Sequence, residues 1–260
     1  MKFIYIFLLL FFNNLYSQVH NWVKTNPGGG GAFNIIKSGP TGNILVGSDL
    51  SGLYISQDSG ISFKNIGAHQ GLTNPHIGSI GVDPINSSKF FIGTASGLYK
   101  TSNNAQSFSK IISFGYVSDI VVCKNNTNYI YVCWHSDYNT TDGQIYRSSD
   151  GGISFAKVSN LTQNLRILKL IEDPTDFNII YFLSGNARSA CSIARLFKSI
   201  NAGVDFSDIS GGLGEILDMD INPDSPNELY LTTMNAQCGS PYYYLDRLGK
   251  FYMSTDGGNS

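Results

Sequence analysis

The stretch Tyr146-Arg147-Ser148-Ser149-Asp150-Gly151-Gly152-Ile153-Ser154-Phe155 decides the fold, because its pattern occurs five times along the chain. The pattern is aromatic-x-Ser/Thr-x-Asp/Asn-x-Gly/Ala-x-x-Phe, and the other copies begin at Tyr54, Tyr99, Phe197 and Tyr252. The Ser/Thr positions of successive copies are 45, 47, 51 and 55 residues apart. Repetition at this period indicates an architecture that is built from one recurring structural unit.

Each copy has the composition of a tight β-hairpin turn. A short Asp or Asn side chain accepts hydrogen bonds from backbone N–H groups of a turn, and glycine tolerates a positive φ. The aromatic residues of each copy are expected to anchor the hairpin in the core. Because residues present in every unit usually hold that unit together, we predict a structural role for the repeated positions. They are Ser56, Asp58, Gly60, Phe63, Thr101, Asn103, Phe108, Ser148, Asp150, Gly152, Phe155, Ser199, Asn201, Gly203, Phe206, Ser254, Asp256 and Gly258.

Two further β-rich runs precede each hairpin, for example Ile77–Val82 and Phe90–Thr94 before the copy at Tyr99. Each unit therefore holds four short strands, which is typical of a propeller blade. We predict an all-β chain, in which residues 18–260 form an incomplete β-propeller of four-stranded antiparallel blades. Four blades and most of a fifth are present. Since propellers close with about four to eight blades, we expect a fragment of a longer chain with about seven.

Composition limits the classes of function. The chain has 260 residues, 42% of them hydrophobic and 14% charged, with a net charge of −2. This is enough apolar sequence for a real core, and the absence of a basic stripe argues against a nucleic-acid partner. Residues 1–17 combine a positive start, a short apolar run and a terminal Ser17, as in a secretory signal. We therefore predict a secreted or cell-surface protein without a membrane span, an N-terminal anchor being the alternative.

The cysteines and histidines carry no metal-binding spacing. Cys191 and Cys238 fall in loops of adjacent blades, and in an oxidising compartment we expect them to form a disulfide. Cys123 and Cys133 lie on neighbouring strands, where either a cross-strand disulfide or two buried thiols is compatible with the sequence. Because C-x-x-C and H-x-x-x-H are both absent, we predict neither a metal nor a cofactor.

The repeat resembles the Asp-box (BNR) repeat of sialidases, sortilin-type receptors and family 74 xyloglucanases. A Gly-rich segment over residues 26–33, followed by the strand Ile44–Ser48 and the turn Asp49-Leu50-Ser51-Gly52, is most similar to the start of the xyloglucanase family. The chain departs from that family at Gly47, where the family has Arg, and at Ser51, where it has Gly; its boxes also close with Phe instead of Trp. A sialidase is disfavoured, because that family needs an arginine near the N-terminus and Arg147 is the first here.

Residues that occur only once are the candidates for recognition. In a blade, the loop between strands two and three lies on the face opposite the repeat turns, together with the connection to the next blade. Long, unrepeated loops are where binding residues tend to lie, and aromatic rings suit the apolar faces of sugars. We predict ligand contacts there, with packing of the loops on themselves as the alternative. The candidates are His69, His76, Trp134, His135, Tyr138, Arg188, Tyr242, Tyr243 and Tyr244.

Asp49 is the candidate catalytic residue. Aligning Tyr54 with Tyr99 places Thr94 opposite Asp49, so this carboxylate is not part of the repeat. The resemblance implies that Asp49 is the general base of an inverting hydrolysis, a reaction that needs a second carboxyl group about 6.5–9.5 Å away. In the resembling family, that group comes from a second propeller. The alternative for Asp49 is a polar turn residue.

Two functions follow from these expectations. The first is a glycoside hydrolase that acts on xyloglucan-like β-glucans, with a polysaccharide as its partner. The second is a non-catalytic, sortilin-like propeller that binds a protein or a glycan at the cell surface. Both assign the unrepeated face to recognition.

Overall fold

The computed structural model describes residues 23–113, 115–137, 140, 142–158, 166–185, 194–213, 215–235 and 248–259. These ranges contain β-strands and one short 3₁₀ helix, Ala68–Gln70. The strands are β1 (Phe33–Ser38), β2 (Ile44–Ser48), β3 (Leu53–Ser56), β4 (Lys64–Ile66), β5 (Ile77–Val82), β6 (Phe90–Thr94), β7 (Gly97–Thr101), β8 (Ser109–Ile112), β9 (Tyr116–Val122), β10 (Ile130–His135), β11 (Gln144–Ser148), β12 (Ala156–Lys157), β13 (Ile167–Glu172), β14 (Ile180–Ser184), β15 (Arg195–Ser199), β16 (Ser207–Asp208), β17 (Glu215–Ile221), β18 (Leu229–Asn235) and β19 (Leu248–Ser254).

The strands form five antiparallel sheets in strict chain order, which we call blades 1 to 5. Blade 1 is β1-β2-β3-β4, blades 2 to 4 continue in the same way, and blade 5 has the order β17-β18-β19 among the described residues. The first strands of consecutive blades contact one another: β1 packs on β5, β5 on β9 and β9 on β13. This arrangement places the first strand of each blade innermost. The predicted all-β propeller of four-stranded blades is confirmed.

The five repeats have one hydrogen-bond pattern. In blade 3, the Ser148 hydroxyl donates to Asp150 Oδ1 at 2.7 Å and accepts the Gly152 N–H at 2.9 Å. Thr101, Ser199, Ser254 and Ser56 make the same pair of contacts in their own turns. Each pattern links the end of the blade's third strand to the residues beyond it. We call these five elements the repeat turns.

The repeat turns require left-handed backbone at the position that the pattern reserves for Gly or Ala. Gly152 has φ +79°, and the residue before it, Gly151, has φ +73°. Blade 2 places Ala105 at the same position with φ +62°, a conformation that costs an alanine about 1–2 kcal/mol. The turn geometry is therefore kept even where the side chain opposes it.

Adjacent blades are joined by a basic side chain of the third strand. Lys100 Nζ donates to the Gly151 carbonyl at 3.0 Å, and Lys198 Nζ donates to the Gly257 carbonyl at 2.7 Å. Arg147 makes the equivalent bond, 2.6 Å long, to the Ala202 carbonyl. Each acceptor is the first left-handed residue of the next blade's repeat turn. The repeat turns thus stabilise contacts between blades as well as the hairpins themselves.

Apolar packing fills the spaces between consecutive blades. Blades 1 and 2 share a cluster that includes Leu45 and Phe90, and blades 3 and 4 share one that includes Tyr131 and Phe182. The closing Phe108 of blade 2 is buried in the first cluster, and Phe206 of blade 4 packs against the second. The predicted anchoring of the hairpins by these aromatic residues is therefore observed.

Two cysteines can be placed. Cys123 and Cys133 are buried free thiols, because Cys133 pairs with Asp119 across the ladder and not with Cys123. Burial raises the pKa of both thiols. Cys191 and Cys238 lie outside the described residues, as does the candidate signal segment. Within the described residues, no helix has the length and apolarity needed to cross a membrane.

Candidate functional site

The turn between β2 and β3 holds Asp49. Gly47 pairs with Leu53, and the Ser48 N–H donates to the Gly52 carbonyl at 3.0 Å, so Asp49, Leu50 and Ser51 form the tip. The Ser48 side chain is fully buried. Its Oγ accepts the N–H groups of Leu50 and Ser51, both at 3.2 Å. One hydroxyl therefore closes the turn that carries the carboxylate.

The structure changes the alignment that singled out Asp49. In blade 2, Gly93 pairs with Leu98 and Thr94 with Gly97. Because Gly47 pairs with Leu53 in blade 1, Thr94 corresponds to Ser48 and not to Asp49. The predicted alignment of Asp49 with Thr94 is wrong by one residue, because the turn between the second and third strands is one residue longer in blade 1 than in blade 2. Asp49 lies in that longer turn and thus outside the repeat.

Residues 28–32 of the Gly-rich segment lie against this turn. The Ala32 N–H donates to Asp49 Oδ1 at 2.7 Å, and the Asp49 N–H donates to the Ala32 carbonyl at 3.1 Å. Ser48 Oγ donates to the Gly30 carbonyl at 3.1 Å. Three hydrogen bonds therefore connect this segment, which is glycine at every position but Ala32, to the turn that carries the carboxylate.

Glycine is required in this segment for space. A Cβ on Gly31 would lie 2.1 Å from Asp49 Oδ1, and Gly31 has φ +87°. A Cβ on Gly29 would lie 2.3 Å from the Tyr54 hydroxyl oxygen. The bare backbone thus allows close approach to the half-buried Asp49 carboxylate.

Asp49 and the repeat turn of its own blade lie at opposite ends of β3. Asp49 precedes Leu53, where β3 begins, and Asp58 follows Ser56, where β3 ends. The predicted separation of the unrepeated carboxylate from the repeat turns is therefore present in the strand order. A cavity of about 500 Å³ at the inner strands is lined by Ser38, Val82, Val122 and Glu172, where these strands end, and so it opens on the repeat-turn face.

His69 and His76 lie in the connection from β4 to β5, on the same face as Asp49. His69 is exposed in the 3₁₀ helix. His76 is half-buried, with its ring edge-on to Tyr116 of blade 3 at 5.9 Å between centroids. The Gly52 N–H donates to the Pro75 carbonyl at 3.0 Å, which joins the connection to the Asp49 turn. Of the two, His76 is the nearer to this joint along the chain.

Trp134 and His135 belong to strand β10, whereas the sequence placed them in a loop. That placement is wrong because both residues continue the ladder, opposite Val117 and Tyr116. The Trp134 ring packs edge-on to Tyr146 at 6.1 Å. His135 is 3% exposed, and its Nε2 lies 3.2 Å from the Ile167 carbonyl of blade 4. Burial lowers the pKa of His135, so its neutral ring joins two blades.

The remaining ligand candidates cannot be located. Tyr138, Arg188, Tyr242, Tyr243 and Tyr244 lie outside the described residues. Their role in ligand binding stays a prediction. Within the described ranges, no three side chains among His, Cys, Asp and Glu cluster in a way that could hold a metal ion.

The carboxylates of the repeat turns accept hydrogen bonds from groups of their own turns. Asp58 accepts hydrogen bonds from the Ser62 hydroxyl, the Ser62 N–H and the Ser56 hydroxyl. These bonds, led by the Ser62 hydroxyl, lower the pKa of Asp58 to about 2. Ser154 lowers the pKa of Asp150 in the same way. Such strongly ionised side chains stabilise a turn and are poor proton acceptors at neutral pH.

The innermost strands carry a set of contacts that the sequence analysis did not identify. Ser79 Oγ donates to the Val117 carbonyl at 3.0 Å, and Asp119 Oδ2 accepts the Leu170 N–H at 2.7 Å. Lys169 Nζ donates to Asp218 Oδ1 at 2.8 Å. Each of these donors or acceptors follows a β-bulge in its strand and contacts the next blade. No common residue type marks this position, so the sequence offered no signal for it.

Comparison of the sequence with known proteins finds one similar xyloglucanase. No family model matches the chain. A xyloglucanase from Hypocrea jecorina (strain QM6a) is 30% identical over 175 residues, which are 66% of this chain and 19% of the relative. The chain therefore spans about a fifth of the length of the curated relative that it matches.

Several solved structures have a fold similar to that of this chain. A GH74 enzyme from Niastella koreensis matches 86% of this chain and 37% of its own, with a TM-score of 0.67 and 18% identity. The fold is that of a GH74-like β-propeller. A GH74 xyloglucanase from Xanthomonas campestris matches 84% of this chain and 36% of its own, with a TM-score of 0.61 and 17% identity. YCF48 from Cyanidioschyzon merolae covers 80% of this chain and 69% of its own, with a TM-score of 0.55 and 13% identity.

Proposed function

We propose that this propeller belongs to a secreted glycoside hydrolase that acts on xyloglucan-like β-glucans, with Asp49 as the general base. One observation carries the proposal. Asp49 is an unrepeated, half-buried carboxylate at the end of β3 opposite the repeat turn, in a chain with 30% identity over 175 residues to a xyloglucanase. The Ala32 N–H donates to its carboxylate, at 2.7 Å from Oδ1.

The chemistry assigned to Asp49 is a single displacement. Asp49 takes a proton from a water molecule as the water oxygen bonds to the anomeric carbon. The bond from that carbon to the glycosidic oxygen breaks, and a second carboxylic acid protonates the leaving oxygen. We propose that this second carboxylic acid lies outside the described residues. The configuration at the anomeric carbon inverts, because the water enters on the face opposite the leaving group.

The proposal is tested by hydrolysis of xyloglucan, with mixed-linkage β-glucan and cellulose as comparison substrates. We expect the purified full-length protein to release reducing ends, and its Asp49→Asn variant to release them about 10²- to 10⁴-fold more slowly. Proton NMR of the first product should show the α-anomer from a β-linked substrate. Retention of configuration would contradict the single displacement.

The matched control is Asp58→Asn in the same blade. Blades 2 and 4 carry Asn103 and Asn201 at the equivalent position and keep the repeat-turn hydrogen bonds. Asp58→Asn should therefore fold and retain full activity. If wild-type protein and Asp49→Asn are equally inactive on every glucan, the enzyme proposal fails. Binding of an immobilised glycan or protein by the inactive chain would then support the non-catalytic function.

A further inference from the structure

Ser48 and Thr94 occupy equivalent positions at the ends of β2 and β6. Both side chains are fully buried. Ser48 Oγ accepts the N–H groups of Leu50 and Ser51, and Thr94 Oγ1 accepts the Ser96 N–H at 3.1 Å. In both blades, a hydroxyl group therefore closes the turn between the second and third strands.

The hydroxyl groups of Ser48 and Thr94 donate to different acceptors. Thr94 Oγ1 donates to the Gly97 carbonyl at 2.9 Å, within its own turn. Ser48 Oγ donates to the Gly30 carbonyl, eighteen residues away along the chain. A hydroxyl has one proton to donate, so Ser48 gives it to the Gly-rich segment. In blade 1 this position therefore has a second contact that reaches outside its own turn, whereas the bond donated by Thr94 stays within its turn.

That second contact leads back to Asp49. Gly30 is two residues from Ala32, whose N–H donates to Asp49 Oδ1 and whose carbonyl accepts the Asp49 N–H. The bonds form a closed circuit from Ser48 through Gly30 and Ala32 to Asp49, which follows Ser48 directly. Loss of the Ser48 hydroxyl would loosen both sides of this circuit, the turn and the segment.

We propose that Ser48 is a positioning residue for the Asp49 carboxylate, acting through the Gly-rich segment that places the Ala32 N–H on Asp49 Oδ1. The inference rests on the proposed function for its effect on catalysis. Its structural part, the dependence of the Ala32–Asp49 bond on Ser48, stands without it. A catalytic group that is displaced by about 1 Å can lose about 10²-fold in rate.

The kinetic test compares Ser48→Ala, Ser48→Thr and Thr94→Ala in the purified full-length protein. We expect Ser48→Ala to lower kcat on xyloglucan by about 10- to 100-fold with KM nearly unchanged. Thr94→Ala should leave kcat unchanged, because its hydroxyl serves only its own turn. Ser48→Thr should restore most of the rate, since Thr94 shows that threonine fits this position. Equal kcat values for Ser48→Ala, Thr94→Ala and wild type would overturn the proposal.

A second measurement needs no activity. In wild type, the Ala32 amide hydrogen should exchange slowly with solvent deuterium, because it donates to Asp49 Oδ1. Ser48→Ala should speed this exchange, and Thr94→Ala should leave it unchanged. Equal exchange rates at Ala32 in Ser48→Ala and wild type overturn the proposal, whereas an inactive wild type with the expected exchange behaviour overturns only the proposed function.

If Ser48→Ala does not fold, Ala32→Pro takes its place. This substitution removes the N–H that contacts Asp49, at an exposed position outside the core. We expect the same loss of kcat as for Ser48→Ala. Full activity in Ala32→Pro would contradict the positioning of Asp49 by the segment.

Discussion

The two ends of β3 in blade 1 each carry a serine and an aspartate, and the two pairs differ in what they bind. At the end of the strand, Ser56 and Asp58 bind each other and the backbone of their own turn. Before its start, Ser48 and Asp49 bind the Gly-rich segment. The first pair recurs in every blade as Ser or Thr with Asp or Asn, and the second occurs once. Both oxygens of Asp58 accept hydrogen bonds within their own turn, whereas Asp49 Oδ1 accepts one from a segment seventeen residues away, which is the difference on which the proposed role of Asp49 rests.

The largest expected effect is on Gly31. Gly31→Ala places a Cβ 2.1 Å from Asp49 Oδ1, and Gly42→Ala, at a similar φ of +82°, meets nothing within 4 Å. Both substitutions should cost about 1 kcal/mol of unfolding free energy, because alanine is strained at positive φ. Only Gly31→Ala should lower xyloglucan hydrolysis, by about 100-fold. Equal rates for the two variants would remove the distinction between the ends of β3.

The repeat turns should affect stability and leave activity unchanged. Ser148→Ala removes a buried hydroxyl that bonds Asp150 and Gly152, and should lower the unfolding free energy by about 2 kcal/mol. The adjacent exposed Ser149→Ala is the control and should change it by less than about 0.5 kcal/mol. Urea unfolding measures both. A loss of hydrolysis in the folded Ser148→Ala variant would show that the two faces are not separate.

The hydrogen bonds that Lys100, Arg147 and Lys198 donate to the next blade should contribute less to the unfolding free energy than the repeat turns do. Lys198→Met removes the bond to the Gly257 carbonyl, and we expect a loss of about 1 kcal/mol in unfolding free energy. Blade 5 has Met253 at the equivalent position and blade 1 has Ile55, so an apolar residue fits there. Lys250→Met, on the exposed strand β19, serves as the control in the same denaturation experiment. A loss as large as that of Ser148→Ala would contradict the smaller contribution expected for the contact between blades.

The smallest expected effect is on the stability of the fold at low pH. Because hydrogen bonds hold the pKa of Asp58 and Asp150 below the ordinary value, both carboxylates stabilise the fold above about pH 4. The contribution of Asp58 is lost as the pH falls from about 4 towards 2, where the folded protein also takes up the proton, and the contribution of Asp150 declines over the same fall in pH. The double variant Asp58→Asn/Asp150→Asn should be less stable than wild type at pH 6, and the difference should shrink near pH 2. A difference that does not depend on pH would contradict these lowered pKa values.

The sequence analysis predicted the propeller from the repeat and missed the details that depend on register. It paired Asp49 with Thr94, because identical spacing to Tyr54 and Tyr99 hid the extra residue in the blade 1 turn. It also placed Trp134 and His135 in a loop, since no pattern marks where a strand ends in a polar, aromatic stretch. The chosen carboxylate nevertheless lies outside the repeat and on the expected face.

What the sequence determined by itself is the recurring unit. Five copies of one turn specify the hairpins through short-range hydrogen bonds, and these need only residues two to four positions apart. Only the tertiary structure decided which distant groups meet: Ser48 with Gly30, Ala32 with Asp49, and Asp119 with Leu170. Such contacts depend on how the strands pair and how the blades pack, and residue types alone do not encode them.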